Sequence, residues 1–300
     1  MTKTQAWIKA FRLRTLPLSV SGVLMGSFMA MKENVFNMTI FFLAVATTLF
    51  LQILSNLAND YGDTKNGKDN EGRLGPTRMV QSGLITLPEM KRMIYVFCLL
   101  SLISGVYLIL ISHISLFSLP FFILLVLGLT AIWAALSYTI GKNPYGYSGW
   151  GDLSVFIFFG LFSVLGTCFL YSHTFSYTVI FPAVSVGAFS VGVLNLNNMR
   201  DYSNDKSTGK KTLVVKMGAS KAKQYHIFLL VLAVVNALVY LIINDSPWLG
   251  YLFLVITIPI ALHGNRIIKI QEPLLFDKEL KKLALIALFF SIIFGACINM

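Results

Sequence analysis

Charge is scarce along these 300 residues: Asp, Glu, Lys and Arg make up 12% of the chain, and only 13 positions are acidic. Set against 56% hydrophobic content and a mean hydropathy of +0.73, so little charge excludes a soluble domain of this size. Cysteine is nearly absent. Cys98, Cys168 and Cys297 fall in apolar stretches with no CxxC or metal-ligand spacing, which argues against a disulfide framework or a zinc site and for core packing. The four histidines, His113, His173, His226 and His263, never pair at ligand spacing and read as interfacial. No low-complexity linker or appended soluble module interrupts the chain. The net charge of +11 therefore has no nucleic-acid-binding domain to serve, and a membrane surface explains it better.

What the chain has instead is apolar runs, at residues 16–31, 38–58, 93–111, 117–140, 153–171, 177–197, 225–243, 247–263 and 283–299. Most approach the roughly 20 residues a helix needs to cross the hydrocarbon core. The expected fold is all-α: a polytopic membrane protein of about nine transmembrane helices around one cavity, forming a single domain over 1–300. Residues 4–14 set Trp7, Ile8 and Phe11 against Lys9 and Arg12, which suits an interfacial N-terminal segment, 1–15, rather than a cleaved leader. Basic residues test the count independently. With a cytoplasmic N-terminus, nine spans place every one of the 24 except Lys32 inside, with the C-terminus outside. A missed or invented span would scramble that split.

Two polar clusters interrupt this pattern, Asn56-Leu-Ala-Asn59-Asp60-Tyr-Gly-Asp63 and Asn197-Asn198-Met-Arg200-Asp201-Tyr-Ser-Asn-Asp205. Each opens a long inner loop that passes through Gly and basic residues to a closing Gly, Gly83 in the first and Gly218 in the second, a weak internal repeat that suggests one cavity between the copies. At about 100° per residue, Asn56, Asp60 and Asp63 fall within about one-sixth of a helix turn, and Asn197, Asp201 and Asp205 drift slightly more. Each cluster is thus a one-faced stripe of hard oxygen donors. Such donors suit Mg²⁺, completed by phosphate oxygens of a substrate, and two facing stripes can clamp a diphosphate. Asn198 belongs with the second stripe, and Asp69 either joins the first as a ligand or caps a loop turn.

Cations for the phosphates are available at Lys65, Lys68, Arg73, Arg78, Arg200, Lys206, Lys210 and Lys211. Arg78, Arg200 and Lys211 lie nearest the repeated loop motif, whereas Lys65, Lys216, Lys221 and Lys223 read as headgroup charges. A secondary transporter is a rival reading, but its acids belong near the bilayer midplane. A CDP-alcohol phosphotransferase is another, though its acids form one contiguous signature.

The chain resembles the UbiA-type intramembrane prenyltransferases, a nine-helix membrane family with two Asp-rich motifs. Within it, Asn56 to Asp63 followed by Gly67-x-Asp69, Gly75-Pro-Thr-Arg78 and Gly83-Leu-Ile-Thr is similar to the 1,4-dihydroxy-2-naphthoate polyprenyltransferases of menaquinone synthesis. So are Asn198-Met-Arg200-Asp201 through Gly209-Lys-Lys-Thr, Trp7 with Arg12-Leu-Arg14-Thr-Leu-Pro17, and Tyr138 to Gly151. The resemblance covers essentially the whole chain. It implies a bacterial cytoplasmic-membrane enzyme in which Asn56, Asp60, Asp63, Asp201 and Asp205 hold Mg²⁺ against a polyprenyl diphosphate. Its allylic cation is attacked by 1,4-dihydroxy-2-naphthoate with loss of CO₂, giving demethylmenaquinone. Tyr138, Lys142, Tyr145 and Tyr147 become candidates for meeting the naphthoate or shielding the cation. Asn59 and Arg14 become candidates for substrate contact, and Asp152 for assisting the acceptor or, more simply, for a helix N-cap. A relative with another acceptor, such as 4-hydroxybenzoate or homogentisate, is the alternative these motifs leave open.

Overall fold

The computed structural model describes residues 1–68 and 74–300, and among them every regular element is helical. The chain starts with α1 (Lys3–Phe11), closed at its N-terminus by a Thr2/Gln5 capping box and stopped by Arg12 in the left-handed region at φ 52°. Among the described residues, nine helices are long and apolar enough to cross a membrane. They are the helical run Lys3–Lys32 that contains α1 and α2 (Leu16–Lys32), α3 (Met38–Lys65), α4 (Leu87–Ile111), α5 (Leu119–Ser137), α6 (Gly151–Ser172), α7 (Tyr177–Arg200), α10 (Ala219–Ile243), α11 (Trp248–Lys269) and α12 (Leu275–Cys297). Two short helices, α8 (Tyr202–Ser207) and α9 (Leu213–Met217), fill the loop after α7. The protein is a multi-pass membrane protein.

Three of the spans begin at capping residues. Asn37 caps α3, Thr86 with Glu89 forms a capping box on α4, and Ser118 caps α5, the last two followed by proline in the first turn. The helices outrun their apolar cores. The extensions at 59–65, 87–92, 198–200, 219–224, 264–269 and 275–282 all project at the end of the bundle that carries the basic residues. Both Asn/Asp clusters consequently ride on helices that emerge from the same apolar bundle.

α7 is the spine, most of its residues buried against α2, α6, α10 and α12. Lipid tails give helices no hydrophobic reason to associate, so close packing through small residues must do it. A Cβ on Gly160 would stand 2.5 Å from Gly187 Cα, and one on Gly26 would stand 2.7 Å from Val164 O, so α6 meets α7 and α2 nearly backbone to backbone. Residues Phe156–Phe162 of α6 form a π turn, a widening common at functional sites, and it turns Phe158, Phe159 and Phe162 into the cavity described below.

A second polar centre lies away from that cavity. His226 Nε2 sits 3.0 Å from His263 Nε2, and His263 Nδ1 sits 2.9 Å from Glu279 Oε2, so α10, α11 and α12 are tied by a buried chain. Burial corrects the reading of these two histidines as interfacial: they are 0% and 1% exposed.

Candidate active site

A cavity of about 380 Å³ opens at the basic end of the bundle, with a polar mouth and an apolar interior. One wall of the mouth is α3, contributing Gln52, Asn56, Asn59 and Asp63; the facing wall is α7 and α8, contributing Asn197, Asn198, Asp201, Asn204 and Asp205. Spacings of three and four residues put each set on one helical face. Below them the lining turns to Leu, Ile, Val and Phe side chains from α2 to α7.

The acids differ in what holds them. Asp63 Oδ2 accepts from Arg78 Nη2 at 2.7 Å, while its Oδ1 accepts from the Tyr147 hydroxyl at 2.7 Å and from Lys210 Nζ at 3.1 Å. Asp201 takes a two-pronged grip from Arg200, Nε to Oδ1 at 3.0 Å and Nη2 to Oδ2 at 2.7 Å. Asp205 Oδ1 lies 3.7 Å from Lys210 Nζ, so one ammonium spans both walls. Asp60 turns elsewhere. Its two oxygens accept the backbone N–H groups of Met79 and Val80 at 2.9 and 3.2 Å, fastening the Arg78–Gly83 turn to α3 outside the cavity lining.

Among the amides, Asn56 donates to Phe11 O and Thr15 Oγ1 and accepts from Gln52, tying the N-terminal segment to α3. Asn59 Oδ1 accepts from Thr139 Oγ1 at 3.2 Å, and Asn197 Oδ1 from Arg200 Nη2 at 2.7 Å. Asn198 is buried and lines the cavity. Asn204 Oδ1 is buried without a donor among the described residues, while its amide nitrogen donates to Lys68 O at 3.2 Å. Spacing alone could have included Asn204, three residues past Asp201 on the same face.

These donors suit a hard cation: two carboxylates across a gap, a buried amide oxygen lacking a donor among the described residues, and a second amide facing the cavity. No three of the described His, Cys, Asp and Glu side chains converge to hold an ion by themselves. Completion by ligand oxygens fits that arrangement. Asp69 lies outside the described residues, as does Arg73.

The basic and aromatic candidates separate as well. Arg14 lines the cavity and reaches Asp277 from Nη1 at 3.0 Å to each oxygen. Arg200, only 1% exposed, has its donors turned to neighbouring side chains: besides Asp201 and Asn197 it donates from Nη1 to Asp277 Oδ1 at 2.6 Å. Lys211 points to solvent, and Lys210 takes the inward position. Lys142 is exposed on the outer side of the α5–α6 loop beside Tyr61 and Lys65, apart from the cavity. Tyr138, Tyr145 and Tyr147 all line the mouth. Tyr145 donates to Ala134 O and shares a 2.9 Å contact with Ser154 Oγ, so it shapes the wall. Burial, helped by the Asp152 carboxylate, raises the Tyr138 hydroxyl far above the ordinary phenol, keeping it protonated; burial raises Tyr145 too. Asp152 is not a cap. It stands in the first turn of α6, buried, with Oδ1 lacking a donor among the described residues.

Residues 19–286 match the UbiA prenyltransferase family. The chain is 39% identical over 295 residues to the 1,4-dihydroxy-2-naphthoate octaprenyltransferase of Escherichia coli (strain K12), covering 98% of this chain and 95% of that one. It is 34% identical over 250 residues to the protein of the same name from Mycobacterium tuberculosis, covering 83% and 81%. A UbiA homologue from Archaeoglobus fulgidus, solved bound to GPP and Mg²⁺, shares the fold with a TM-score of 0.63 at 14% identity, covering 98% of this chain and 100% of that one.

Proposed function

We propose that this chain, which belongs to the UbiA prenyltransferase family, transfers a polyprenyl group from its diphosphate to 1,4-dihydroxy-2-naphthoate in menaquinone synthesis. The observation that carries the reading is the pairing of a two-walled Asn/Asp mouth with an apolar cavity in a chain so similar, end to end, to enzymes of that name. The domain is single, 1–300, with residues 1–15 at the interface. It sits in a bacterial cytoplasmic membrane with the N-terminus and the polar mouth on the cytoplasmic side and the C-terminus outside, as the basic residues around the mouth favour.

The diphosphate seats between α3 and α7/α8. Asp63, Asp205, Asn198 and Asn204 would hold Mg²⁺, which would supply Lewis-acid neutralisation of the leaving diphosphate. Arg78 keeps the Asp63 carboxylate aimed inward, and Arg200 does the same for Asp201. The prenyl chain lies in the apolar interior, where exclusion of water protects an allylic cation. Phe158 lines the cavity, and an aromatic ring presented to the allylic cation would stabilise it through its quadrupole, while Tyr138 stays neutral and able to donate a hydrogen bond. The allylic C–O bond breaks with its electron pair leaving on diphosphate. The ring carbon bearing the carboxylate forms the new C–C bond, the carboxylate leaves as CO₂, and the product is the quinol form of demethylmenaquinone.

Acceptor choice is tested with purified protein, octaprenyl diphosphate, Mg²⁺ and equal concentrations of 1,4-dihydroxy-2-naphthoate, 4-hydroxybenzoate and homogentisate, products being resolved by mass spectrometry. Prenylated naphthoquinol as the dominant product is expected. Prenylated 4-hydroxybenzoate or homogentisate in its place would keep the transferase and discard the menaquinone assignment.

A further inference from the structure

Lys210 is set between the two walls with more care than a solvated loop charge needs. Gly209, at φ 76°, ends α8 and turns the chain back so that the Lys210 N–H donates to Asp205 O at 2.8 Å. The next N–H, that of Lys211, donates to Tyr147 O at 2.7 Å. Pinned at both peptides, the side chain lies over the Tyr147 ring, its ammonium 4.9 Å from the centroid, and that ring's own hydroxyl holds Asp63. The ammonium ends 3.1 Å from Asp63 Oδ1 and 3.7 Å from Asp205 Oδ1, with the side chain 13% exposed. It thus touches a carboxylate on each wall.

We propose that Lys210 is an internal counter-ion occupying the place between Asp63 and Asp205 that a divalent cation must enter, so that metal alone competes with it and metal carried with a diphosphate displaces it. The inference rests on the functional reading above and extends it to the order of loading. Two carboxylates facing across a low-dielectric mouth repel one another, and a tethered ammonium relieves that repulsion when no donor is present. A bare divalent ion would have to displace the ammonium from both carboxylates and brings no anion to receive it. A diphosphate provides that anion, within reach of a flexible four-carbon stem. The mouth then favours the complete metal–diphosphate unit over the metal alone, and bare cations from solution bind it more weakly.

The test is equilibrium dialysis of purified protein against Mn²⁺, alone and with a prenyl thiolodiphosphate, for the wild type, Lys210→Met, Lys210→Gln and Lys210→Arg. Melting temperature is followed in parallel. Removing the ammonium should tighten binding of Mn²⁺ alone by ~10-fold or more in Lys210→Met and Lys210→Gln, the scale of one charge-assisted contact. Lys210→Arg should behave as wild type, and the gain should shrink when the thiolodiphosphate is present. Unchanged or weaker binding of Mn²⁺ alone in both neutral variants, with thiolodiphosphate-dependent binding preserved in the wild type, would overturn the counter-ion role and leave the metal site standing. Absence of Mn²⁺ binding by the wild type even with the thiolodiphosphate would overturn both.

Discussion

Asp277→Asn removes one charge from a junction that no stretch of sequence displays. In the wild type the carboxylate receives Arg14 from the N-terminal segment and Arg200 from the end of α7, at 3.0 and 2.6 Å, with Lys281 3.7 Å away. Stripping a partner from a buried ion pair costs ~3–5 kcal/mol. Here the loss is smaller, because the Asp277 side chain is 22% exposed and Arg200 keeps Asp201 and Asn197. Both arginines share Oδ1, so an asparagine whose carbonyl oxygen takes that place keeps a hydrogen bond to each but sets its NH₂ where Oδ2 received Arg14 Nη1. A destabilisation of ~2 kcal/mol follows from one lost charge-assisted hydrogen bond, which lowers the melting temperature by ~3 °C at this chain length. Arg200 also fixes Asp201, so loosening it should raise the KM for the prenyl diphosphate and lower kcat/KM by ~10-fold or more. The assays are thermal melting in detergent and steady-state kinetics of Asp277→Asn, Arg14→Gln and the double variant. Coupling between the two sites should exceed ~0.5 kcal/mol. Unchanged melting and KM in Asp277→Asn, or strict additivity in the cycle, would refute the junction.

Asp60→Asn confronts a backbone N–H with an amide NH₂ and should destabilise the Arg78–Gly83 turn by ~1–3 kcal/mol, seen as a lower melting temperature and faster proteolysis of that loop. Tyr147→Phe frees one hold on Asp63 and should lower kcat/KM by ~10-fold with little change in melting, whereas Lys142→Ala, outside the cavity, should stay within about twofold of wild type by the same kinetics. Gly160→Ala drives a methyl group against Gly187 and should cost ~1–3 kcal/mol, measured as loss of folded protein on heating. Dialysis against EDTA should reduce turnover by ~100-fold or more, with recovery on adding Mg²⁺.

The nine candidate spans among the described residues were legible because apolar runs of that length, repeated along the chain, match the thickness of a bilayer and exceed what a soluble core needs. Helix ends were less so. Apolar counting stops at the first charge, whereas α3 carries its backbone hydrogen bonds on through Asn59, Asp60 and Asp63 to Lys65. Spacing correctly gathered Asp63, Asp201 and Asp205 at one mouth, yet helical phase could not separate Asp63 from Asp60. The two differ by a small angle, and what turns Asp60 away is a loop about 20 residues further on. Nothing in the sequence singles out Asp277, because its arginine partners lie far off along the chain. The His226–His263 contact was hidden for the same reason: spacing within a helix says nothing about which helices will pack. Lys210 and Lys211 are neighbours with identical chemistry, and the positive φ of Gly209 decides which one faces inward.

The most direct test follows both products of one turnover. Purified protein is incubated with octaprenyl diphosphate and carboxyl-labelled 1,4-dihydroxy-2-naphthoate, with and without Mg²⁺, and labelled CO₂ is counted beside prenylated quinol. Equal yields of the two, dependent on Mg²⁺ and lost in Asp63→Asn and Asp205→Asn, are the predicted result. Prenylated product without CO₂, or undiminished yields in both variants, would contradict the account.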